Sequence, residues 1–583
     1  MKLNFNGATS PIYFGSSLAS FLKSSDVVLS PGVVLSAGNG FVGATAQPSD
    51  VGDSGSPYYS ETAIARWGNV VYKGYHSGET VTVEIVADHI SGISSVEMSL
   101  DDGPWETISQ PSASSYLGCA SYQATIDTSV LANGLHEVRA IVTPNIGRPR
   151  VLQGELDFTV GTTEGTSLTG MYSMWFSKLS SAPIEVYVDS SGGSDSTGDG
   201  TSSNPYQTIP YAVYNGLASG TLFSDVSNTT VVLKPGNYAW GQWSSYPSSV
   251  TTSTGWLKVK SSDTDNRATF NLPSTSADGT YPTINLAFED IDFDATTTAN
   301  LTRASSHYLL KGNNGGRLWF NRCNFYSDMQ TTSGFFSNGF LSGTFHEYSS
   351  GFDLYDSVMA GSLGVQCSIQ NMILQSYRFR GLFNCTLSGL NDANDVGEGG
   401  NVTDDPDPHP DIYQIYIAGG TVENVIIRGL TATENNYTQG LYFSGATSLF
   451  KDISIEDVNI DCTYGGQFTV FKAVQIREAC QHFLMRDSQI RGNSFLAMPG
   501  SHPGAESANF ASTNMVLDNV LHTEGTADSN SGDPYLLFPD GPGGGGSWLG
   551  NYAYAGSPGF PWTSNETPSA TQSPTSITYQ NME

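Results

Sequence analysis

The sequence predicts an all-β protein in which an immunoglobulin-like β-sandwich precedes a right-handed parallel β-helix, a solenoid. Three observations support this prediction. Only 14% of the residues are charged whereas 64 are glycine, a balance typical of short strands joined by many turns. Much of the first third of the chain alternates apolar and polar residues. The remainder repeats short apolar segments at a nearly constant spacing.

A chain of 583 residues is too long for one ordinary core, because single domains usually stop growing at about 250 to 300 residues. Changes in composition predict five segments. They are an N-terminal attachment arm or linker at 1–60, an Ig-like sandwich at 61–162, a linker at 163–183, a β-helix at 184–525 and a C-terminal cap or tail at 526–583. For residues 1–60, a flexible leader is an alternative interpretation.

Alternating residues between 80 and 160 predict the sandwich. Short strands are indicated at 80–89, 94–108, 121–127 and 136–160, with a tight turn at Asp102 and Gly103. Trp67 in the entry strand and Trp105 directly after the turn could each face a ligand. Packing in the core or at a sheet edge is the simpler interpretation for both.

Internal repetition predicts the solenoid. The segments ENVIIRG, KDISIED, QHFLMRD and TNMVLDN begin at residues 423, 451, 481 and 513. Their spacing of roughly 28 to 32 residues fits one coil of three short strands. Each segment carries two apolar residues two positions apart, which places both on one face of a strand. We expect four such pairs to stack inside a tube: Val425 and Ile427, Ile453 and Ile455, Phe483 and Met485, and Met515 and Leu517.

Charge and hydropathy exclude several classes of partner. The chain has 24 Lys and Arg against 55 Asp and Glu, a net charge of −31, which repels nucleic-acid phosphates and anionic lipids. No segment approaches the roughly 18 consecutive apolar residues that suggest membrane insertion. The N-terminus lacks the apolar region of a secretion signal. We therefore expect synthesis in a host cytoplasm and release by lysis or on a particle.

The six cysteines have no metal-binding spacing, which argues against zinc and against a disulfide framework. We interpret them as buried thiols of a chain that folds under reducing conditions: Cys119, Cys323, Cys367, Cys385, Cys462 and Cys480. The sequence also lacks GxSxG, HExxH and P-loop motifs, which argues against the chemistries that depend on them.

The densest polar segment, DDPDPHPDIYQIY, begins at residue 404 and runs from a proline-stiffened loop into a strand. Stiffening lowers the entropy that a loop loses when it binds a ligand. The candidate catalytic residues are His409, Asp411 and Glu434. The candidate substrate-binding residues are Asp407, Tyr413, Gln414, Gln439, Tyr442, Lys472 and Arg477. Asp404, Asp405 and Asp407 are candidate calcium ligands, calcium being the one cofactor considered.

Two reactions are compatible with this segment. A glycoside hydrolase needs two carboxyl groups roughly 5 to 9.5 Å apart, and Asp411 could pair with Asp407 or Glu434. A polysaccharide lyase needs a base, either His409 or Lys472, and a cation such as Arg477 beside the substrate carboxylate. Three other interpretations remain open: a solvated acidic loop, a structural calcium site, or a histidine that binds a neighbouring carbonyl.

The sequence resembles the virion structural proteins of marine contractile-tailed cyanophages, which join an Ig-like module to a β-helix. The resemblance rests on ETAIARWGNVVYKGYHSGETVTVEIVADHISGISSVEMSLDDGPWETI, on LANGLHEVRAIVTPNIGRPRVLQGEL and on VYVDSSGGSDSTGDGTSSNPYQTIPYAV. It covers residues 60–240 and, more loosely, the chain to 525. His409, Asp411 and Gln414 also resemble an HxD…Q segment on the exposed face of pectin lyase-like and phage β-helices.

The resemblance implies a tail-fibre-like or tailspike-like component on the virion surface. Such a protein would bind host-surface polysaccharide and contact other virion proteins through its N-terminal region. By analogy with tailspikes it would be a homotrimer. Two alternatives stay open, a polysaccharide depolymerase acting on the β-helix and a purely structural decoration protein.

Overall fold

The protein is described from a computed structural model. The described residues of the first 326 positions are 12–14, 17–19, 33–35, 48–68, 74–76, 80–114, 117–154, 171–179, 184–217, 226, 229–240, 242, 250, 256–271, 284, 286–294 and 318–326. Beyond these, they are 367–370, 381–383, 386–388, 411–417, 420–433, 439–445, 448–461, 472–476, 479–491, 513–523, 548–549 and 552–554. All described elements except one helix are strands, so the predicted all-β class is confirmed.

The chain divides into two compact units, the first formed mainly by residues 1–157 and 165–183. Its strands are β1 Ile12–Phe14, β2 Ser17–Ala19, β3 Val33–Leu35, β4 Ile64–Trp67, β5 Gly74–His76, β6 Thr80–Asp88, β7 Ile93–Leu100, β8 Glu106–Ile108, β9 Ser112–Ala113, β10 Ala120–Asp127, β11 Gly134–Pro144, β12 Arg150–Leu152 and β13 Met174–Lys178.

Two large sheets make up most of this unit. One has the strand order β3-β10-β6-β4, with β9 on β10, and the other β5-β13-β11-β7-β8, with β12 on β11. Their strands pair antiparallel except at β10–β3 and β13–β5, and β1 pairs separately with β2. Alternation explains the buried faces, because Val83 and Ile85 of β6 and Val138 and Ala140 of β11 are fully buried.

Trp67 belongs to the core of the first unit, which confirms the packing interpretation. Only 1% of its surface is exposed, and its indole N–H donates to the carbonyl of Tyr172 at 2.7 Å. Trp105 is half-buried, with the guanidinium carbon of Arg139 5.6 Å from its ring centroid. The predicted turn before Trp105 is also present, because Gly103 N–H donates to the carbonyl of Leu100 at 2.7 Å.

The second unit is formed mainly by residues 184–360 and 364–583. Its earlier elements are β14 Ile184–Val188, α1 Ile209–Asn215, β15 Thr229–Leu233, β16 Gly236–Ala239, β17 Leu257–Ser261, β18 Ala268–Asn271, β19 Leu286–Glu289, β20 Asp292–Asp294, β21 Leu318–Asn321, β22 Cys323–Tyr326, β23 Cys367–Gln370, β24 Gly381–Phe383 and β25 Thr386–Ser388. Its later strands are β26 Asp411–Ile417, β27 Gly420–Arg428, β28 Thr431–Thr433, β29 Gln439–Gly445, β30 Ser448–Glu456, β31 Asn459–Asp461, β32 Lys472–Ile476, β33 Ala479–Arg491, β34 Thr513–Thr523, β35 Trp548–Leu549 and β36 Tyr552–Tyr554.

A polar loop between β14 and α1 opens this unit. The Asp195 carboxylate accepts hydrogen bonds from the backbone N–H groups of Gln207 (2.9 Å) and Thr208 (3.0 Å). Because Thr208 directly precedes α1, these bonds fix the start of the helix. Gly193 is required in the loop, since a Cβ there would lie 2.1 Å from the carbonyl oxygen of Tyr206.

Every pairing between the described strands of the second unit is parallel. One sheet has the order β14-β15-β17-β19-β21, and a second sheet of fifteen strands contains β16-β18-β20-β22-β23-β25-β28-β31-β33-β30-β27-β24 with β34, β35 and β36 attached. The third sheet is β26-β29-β32. Two parallel neighbouring strands need a connection that returns the chain from the end of one strand to the start of the next. A coiled path provides such a connection.

The later strands come in consecutive triples that stack on one another. In the triples β26–β28 and β29–β31, each strand pairs with its counterpart, β26 with β29, β27 with β30 and β28 with β31. The predicted repeats lie in register as well, because Glu423 pairs with Lys451, Lys451 with Gln481 and Gln481 with Thr513. The apolar pairs of the first three repeats are fully buried: Val425, Ile427, Ile453, Ile455, Phe483 and Met485.

A residue with positive φ interrupts each of four successive strands at the equivalent position. These residues are Asn424 (φ 63°), Asp452 (φ 54°), His482 (φ 54°) and Asn514 (φ 51°), and all are buried. Asn, Asp and His adopt this left-handed conformation more often than other residues with a side chain. The interruption bends each strand and turns these polar side chains inward together.

An aromatic cluster fills the early part of the second unit. The Trp240 ring lies 5.7 Å from Phe270, 5.8 Å from Phe288 and 6.1 Å from Phe293, measured between centroids. All four side chains are at most 1% exposed. Edge-to-face pairs of this kind add stabilisation beyond the burial of area.

Two of the predicted buried thiols are confirmed, because Cys323 and Cys480 are buried. Cys119 differs and is only half-buried, because it follows the turn at Gly118 (φ 71°) rather than pointing from a buried strand face. Among the residues that the structure describes, no helix has the length and apolar character needed to cross a lipid bilayer.

Candidate functional site

The sequence-predicted substrate residues fall largely on one small sheet. β26, β29 and β32 pair in parallel, and their register puts Asp411 beside Gln439 and Gln439 beside Lys472. Neighbouring parallel strands are about 4.8 Å apart, so an acid, an amide and an amine occupy consecutive positions at the start of three strands. Asp411 and Lys472 are separated by the width of two strand spacings.

A second row of the same sheet contains Gln414, Tyr442 and Gln475 in register. Its neighbours in β29, Leu441 and Phe443, are fully buried. The row therefore alternates along β29 with two residues of the core. Gln475 is an addition to the residues that the sequence pointed to.

Tyr413 occupies a different row, in register with Leu441 and Val474. Both of those residues are fully buried. The register therefore separates Tyr413 from Gln414 and Tyr442, and it leaves Tyr413 in a row whose other members belong to the core. The predicted residues Asp404, Asp405, Asp407, His409, Glu434 and Arg477 lie outside the described residues.

A longer polar surface, which the sequence reasoning did not single out, follows β18, β20 and β22. Its first row is Thr269, Asp292 and Asn324, and its second row is Asn271, Asp294 and Tyr326. All six side chains are half-buried. The residues between the two rows form a buried ladder, with Phe270 paired to Phe293. We name these six residues the carboxylate-amide face.

The environment of Asp292 shifts the pKa of its carboxyl group. Partial burial raises the pKa of its carboxyl group, and the charge of Asp294 adds to this rise. Asn324 opposes the rise by donating a hydrogen bond from Nδ2 to Asp292 Oδ1 at 2.9 Å. Arg267 opposes it too, with Nη1 3.8 Å from the same oxygen. Burial also raises the pKa of the Tyr326 hydroxyl.

Arginine side chains support the turn beside this face. Arg322, itself at φ 51°, donates to the Asp290 carboxylate at 2.7 Å and also contacts Glu289. Burial opposes ionisation of Glu289, but Lys258 and Arg322 outweigh this effect and lower its pKa. These cations are thus engaged by carboxylates and hold the β19–β20 and β21–β22 turns together.

The two polar rows continue across later strands of the same sheet. Asn324 is followed in register by Ser368, Thr386, Thr431, Asn459 and Gln489, and Tyr326 is followed by Gln370, Ser388 and Thr433. Polar residues therefore occupy equivalent positions on eight consecutive parallel strands, β18 to β33, and the last two, Asn459 and Gln489, are buried. Adjacent strands repeat at about 4.8 Å, which gives the surface a regular period.

The sequence contained a signal for the carboxylate-amide face. The segment IDFDA alternates Asp292, Phe293 and Asp294, and the segment CNFY alternates Asn324, Phe325 and Tyr326. In both, one face of the strand is aromatic and the other polar.

A buried ionisable pair lies away from both surfaces. His482 Nδ1 is 2.8 Å from Asp452 Oδ1, and neither side chain has exposed surface. With no exposed atoms, the pair has no direct route to a polymeric substrate. We assign it to the support of the strand interruptions.

No protein-family model matches the chain, and no curated protein matches it.

Proposed function

We propose that the protein binds polysaccharide along the outer polar face of its second unit, as a surface component of a virion. The observation that carries this proposal is the run of hydroxyl, amide and carboxylate residues in register on consecutive parallel strands. Sugars offer many hydroxyl groups, which pair with such residues, and Tyr326 adds an apolar ring for stacking.

We further propose that the second unit is a right-handed parallel β-helix and that the first is an Ig-like sandwich. The parallel register of stacked strand triples supports the former. The two mostly antiparallel sheets around Trp67 support the latter. On a β-helix the polar rows run along the helix axis. An extended glycan bound along a row would therefore cross the strands and meet one residue of that row at each coil.

The charge of the surface favours an uncharged glycan. Asp292 and Asp294 lie on the carboxylate-amide face, and its neighbouring cation Arg267 is also within 3.5 Å of the Asp290 carboxylate. With a net charge of −31, the chain repels uronate-rich or sulfated polymers at low salt. Neutral sugars avoid this penalty, because their hydroxyl groups donate hydrogen bonds to carboxylates and both donate to and accept from amides.

The proposal of a virion location follows from the sequence resemblance to cyanophage virion proteins. In this proposal the N-terminal region contacts other virion proteins, the assembly is a homotrimer, and calcium in the 404–407 loop is an optional structural ion. Electron microscopy of particles labelled with an antibody against the full chain would test the location.

Glycan binding can be tested with surface polysaccharide from marine cyanobacteria, separated into neutral and acidic fractions by anion exchange. We expect the full-length protein to bind the neutral fraction in biolayer interferometry. Asn324→Ala and Tyr326→Ala should each weaken binding about tenfold, which corresponds to about 1.4 kcal/mol. Gln110→Ala, at an exposed position of the first unit, should bind normally. Wild-type protein that binds neither fraction, or face variants that bind like wild type, would reject the proposal.

One observation favours glycoside hydrolysis as a second candidate function. Asp292 and Asp294 lie two residues apart on one strand, a Cα separation of about 6.6 Å, similar to the carboxyl spacing of glycosidases. Their environments differ, because burial raises the pKa of Asp292 and suits it to act as the acid. If this is correct, Asp292→Asn should stop the release of reducing ends from the neutral fraction while binding persists. If the wild-type protein releases no reducing ends, hydrolysis is rejected and glycan binding remains the proposed function.

A further inference from the structure

An asparagine–glycine pair lies in the exposed turn that leads into β11 of the first unit. Asn133 and Gly134 are both exposed, as are their neighbours Ala132 and Leu135. We propose that Asn133 is a site of spontaneous deamidation, at which the folded protein converts the side-chain amide to a carboxylate and part of the product becomes isoaspartate. The reaction consumes water and requires no enzyme or cofactor.

The backbone of this turn suits the reaction. Gly134 has φ 130°, a conformation that glycine adopts readily, and a Cβ placed there would have no atom beyond its chain neighbours within 4 Å. Its pairing with Lys178 is the terminal pair of β11 and β13, and the ends of strands open most readily. Among the residues that the structure describes, no side-chain hydrogen bond restrains Asn133. The side-chain amide can therefore rotate toward the backbone nitrogen of Gly134.

The chemistry is an intramolecular substitution at the side-chain amide. The backbone nitrogen of Gly134 loses its proton to solvent and bonds to Cγ of Asn133, the Cγ–Nδ2 bond breaks, and Nδ2 takes a proton and leaves as ammonia. The product is a cyclic succinimide. Water then attacks one of the two ring carbonyl carbons. Attack at Cγ gives aspartate, and attack at the backbone carbonyl carbon gives isoaspartate. No electrons are transferred, and the uptake of water and release of ammonia balance the reaction.

A second Asn–Gly pair that the structure describes is protected from this reaction. Asn215 is the last residue of α1, and its Nδ2 donates to the carbonyl of Tyr211 at 3.0 Å. The backbone N–H of Gly216, whose nitrogen would attack, donates to the carbonyl of Ala212 at 3.0 Å. Both hydrogen bonds must break before the ring can form, which lowers the rate at Asn215. The fold therefore distinguishes two identical dipeptides that the sequence alone does not.

The other Asn–Gly pairs of the sequence lie outside the described residues, and they begin at Asn6, Asn39, Asn314 and Asn338.

Deamidation would alter the entry to β11. Isoaspartate adds one methylene to the backbone between Ala132 and Gly134, and the carbonyl oxygen of Ala132 lies 2.8 Å from Nε2 of His136. The lengthened backbone must displace either this carbonyl or the terminal pair of β11 and β13. Both products also add a negative charge to a chain whose net charge is already −31.

The test follows the full-length native protein in warm, mildly alkaline buffer, with samples digested at acidic pH so that no further amide is lost. Liquid chromatography and mass spectrometry measure the amide and carboxylate forms of the peptides containing residues 133 and 215. Asn133 should convert at least about tenfold faster than Asn215. It should give two products of equal mass, and protein isoaspartyl methyltransferase with labelled S-adenosylmethionine should methylate one of them.

Two controls separate the fold from the local sequence. In protein unfolded in guanidinium chloride, the two asparagines should convert at similar rates, because the hydrogen bonds around Asn215 are lost. Asn133→Gln should abolish methylation of its peptide in the native protein and leave the rate at Asn215 unchanged, because glutamine must form a larger ring and reacts more slowly.

Several results would overturn the proposal. They are equal native rates at the two sites, or an Asn133 that converts much more slowly in the native protein than in guanidinium chloride. A product that contains aspartate alone would also overturn it, because direct hydrolysis of the amide forms no isoaspartate. A difference of the same size in guanidinium chloride would place the cause in the local sequence and reject the role of the fold. None of these measurements depends on glycan binding.

Discussion

His482 Nδ1 lies 2.8 Å from Asp452 Oδ1, and both side chains are completely buried. The two residues occupy equivalent interruptions of β33 and β30, each at φ 54°. Their hydrogen bond therefore links two successive repeats through positions that are also conformationally demanding. A buried carboxylate needs hydrogen-bond partners to offset its lost hydration, which makes this contact important for stability.

Two substitutions of His482 should distinguish the effect of its hydrogen bond from the effect of its positive φ. His482→Ala removes one hydrogen-bond partner of a buried carboxylate and leaves a cavity, so we expect a loss of about 3 to 5 kcal/mol in the free energy of unfolding. His482→Asn keeps a side chain that donates hydrogen bonds and tolerates positive φ, as Asn424 and Asn514 do in neighbouring strands. The His482→Asn variant should lose less than half as much free energy of unfolding as His482→Ala. Urea denaturation monitored by circular dichroism would measure both, and equal losses would contradict this explanation.

The exposed turn at Asp457 allows the effect of positive φ on stability to be tested at a residue that does not pack in the core. Asp457 is exposed with φ 53°, and its equivalents in neighbouring repeats are Gly429 (φ 69°) and Asp487 (φ 43°). Asp457→Gly should change the free energy of unfolding by less than about 0.5 kcal/mol. Asp457→Val, which is disfavoured at positive φ, should destabilise the protein by roughly 1 to 2 kcal/mol. If the valine variant matches the glycine variant in urea denaturation, the turn does not require this conformation.

Periodicity in the sequence was sufficient to predict the stacked strands. The pair Val425 and Ile427 repeats with the period of a strand, and its copies recur once per coil, so local spacing alone predicted the observed stacking of the first three pairs. The positive φ of His482 could not be predicted in this way. That conformation is uncommon for any residue other than glycine, and the packing of the repeat imposes it there.

The candidate site was less accessible to sequence reasoning. A glycan-binding surface depends on which residues face each other across coils, and this register is set by long-range packing rather than by local propensity. Gln414 and Tyr442 were both named from sequence, and the register aligns them. Tyr413 was named on composition alone, and the register places it in line with buried Leu441.

Trp240 should be the most costly single truncation in the early part of the second unit. Its ring contacts Phe270, Phe288 and Phe293, and only 1% of its surface is exposed. Trp240→Ala leaves a large cavity and should cost about 3 to 5 kcal/mol, whereas Trp240→Phe retains part of the aromatic contacts and should cost less. Differential scanning calorimetry of the two variants would measure the difference. Equal unfolding temperatures for both variants would show that the cluster can rearrange to fill the space.

In the first unit, both ring nitrogens of His136 face hydrogen-bond acceptors. Nδ1 contacts the Asp101 carboxylate, and Nε2 lies 2.8 Å from the carbonyl oxygen of Ala132. Only the protonated ring can donate to both. The hydrogen bond to Asp101 is the main cause of a raised His136 pKa, while partial burial and the charge of Lys178 act in the opposite direction.

This raised pKa predicts that the first unit is stabilised by protonation of His136. The unfolded histidine titrates near pH 6.5, so the stabilisation is complete below about pH 6.5 and disappears as the pH rises through the higher folded pKa. Hydrogen exchange of the β11 amides, corrected for intrinsic rates, should therefore show weaker protection above the folded pKa than at pH 6. In His136→Gln, which does not titrate, this pH-dependent loss should vanish. A variant that keeps the wild-type pH dependence would place the titrating group elsewhere.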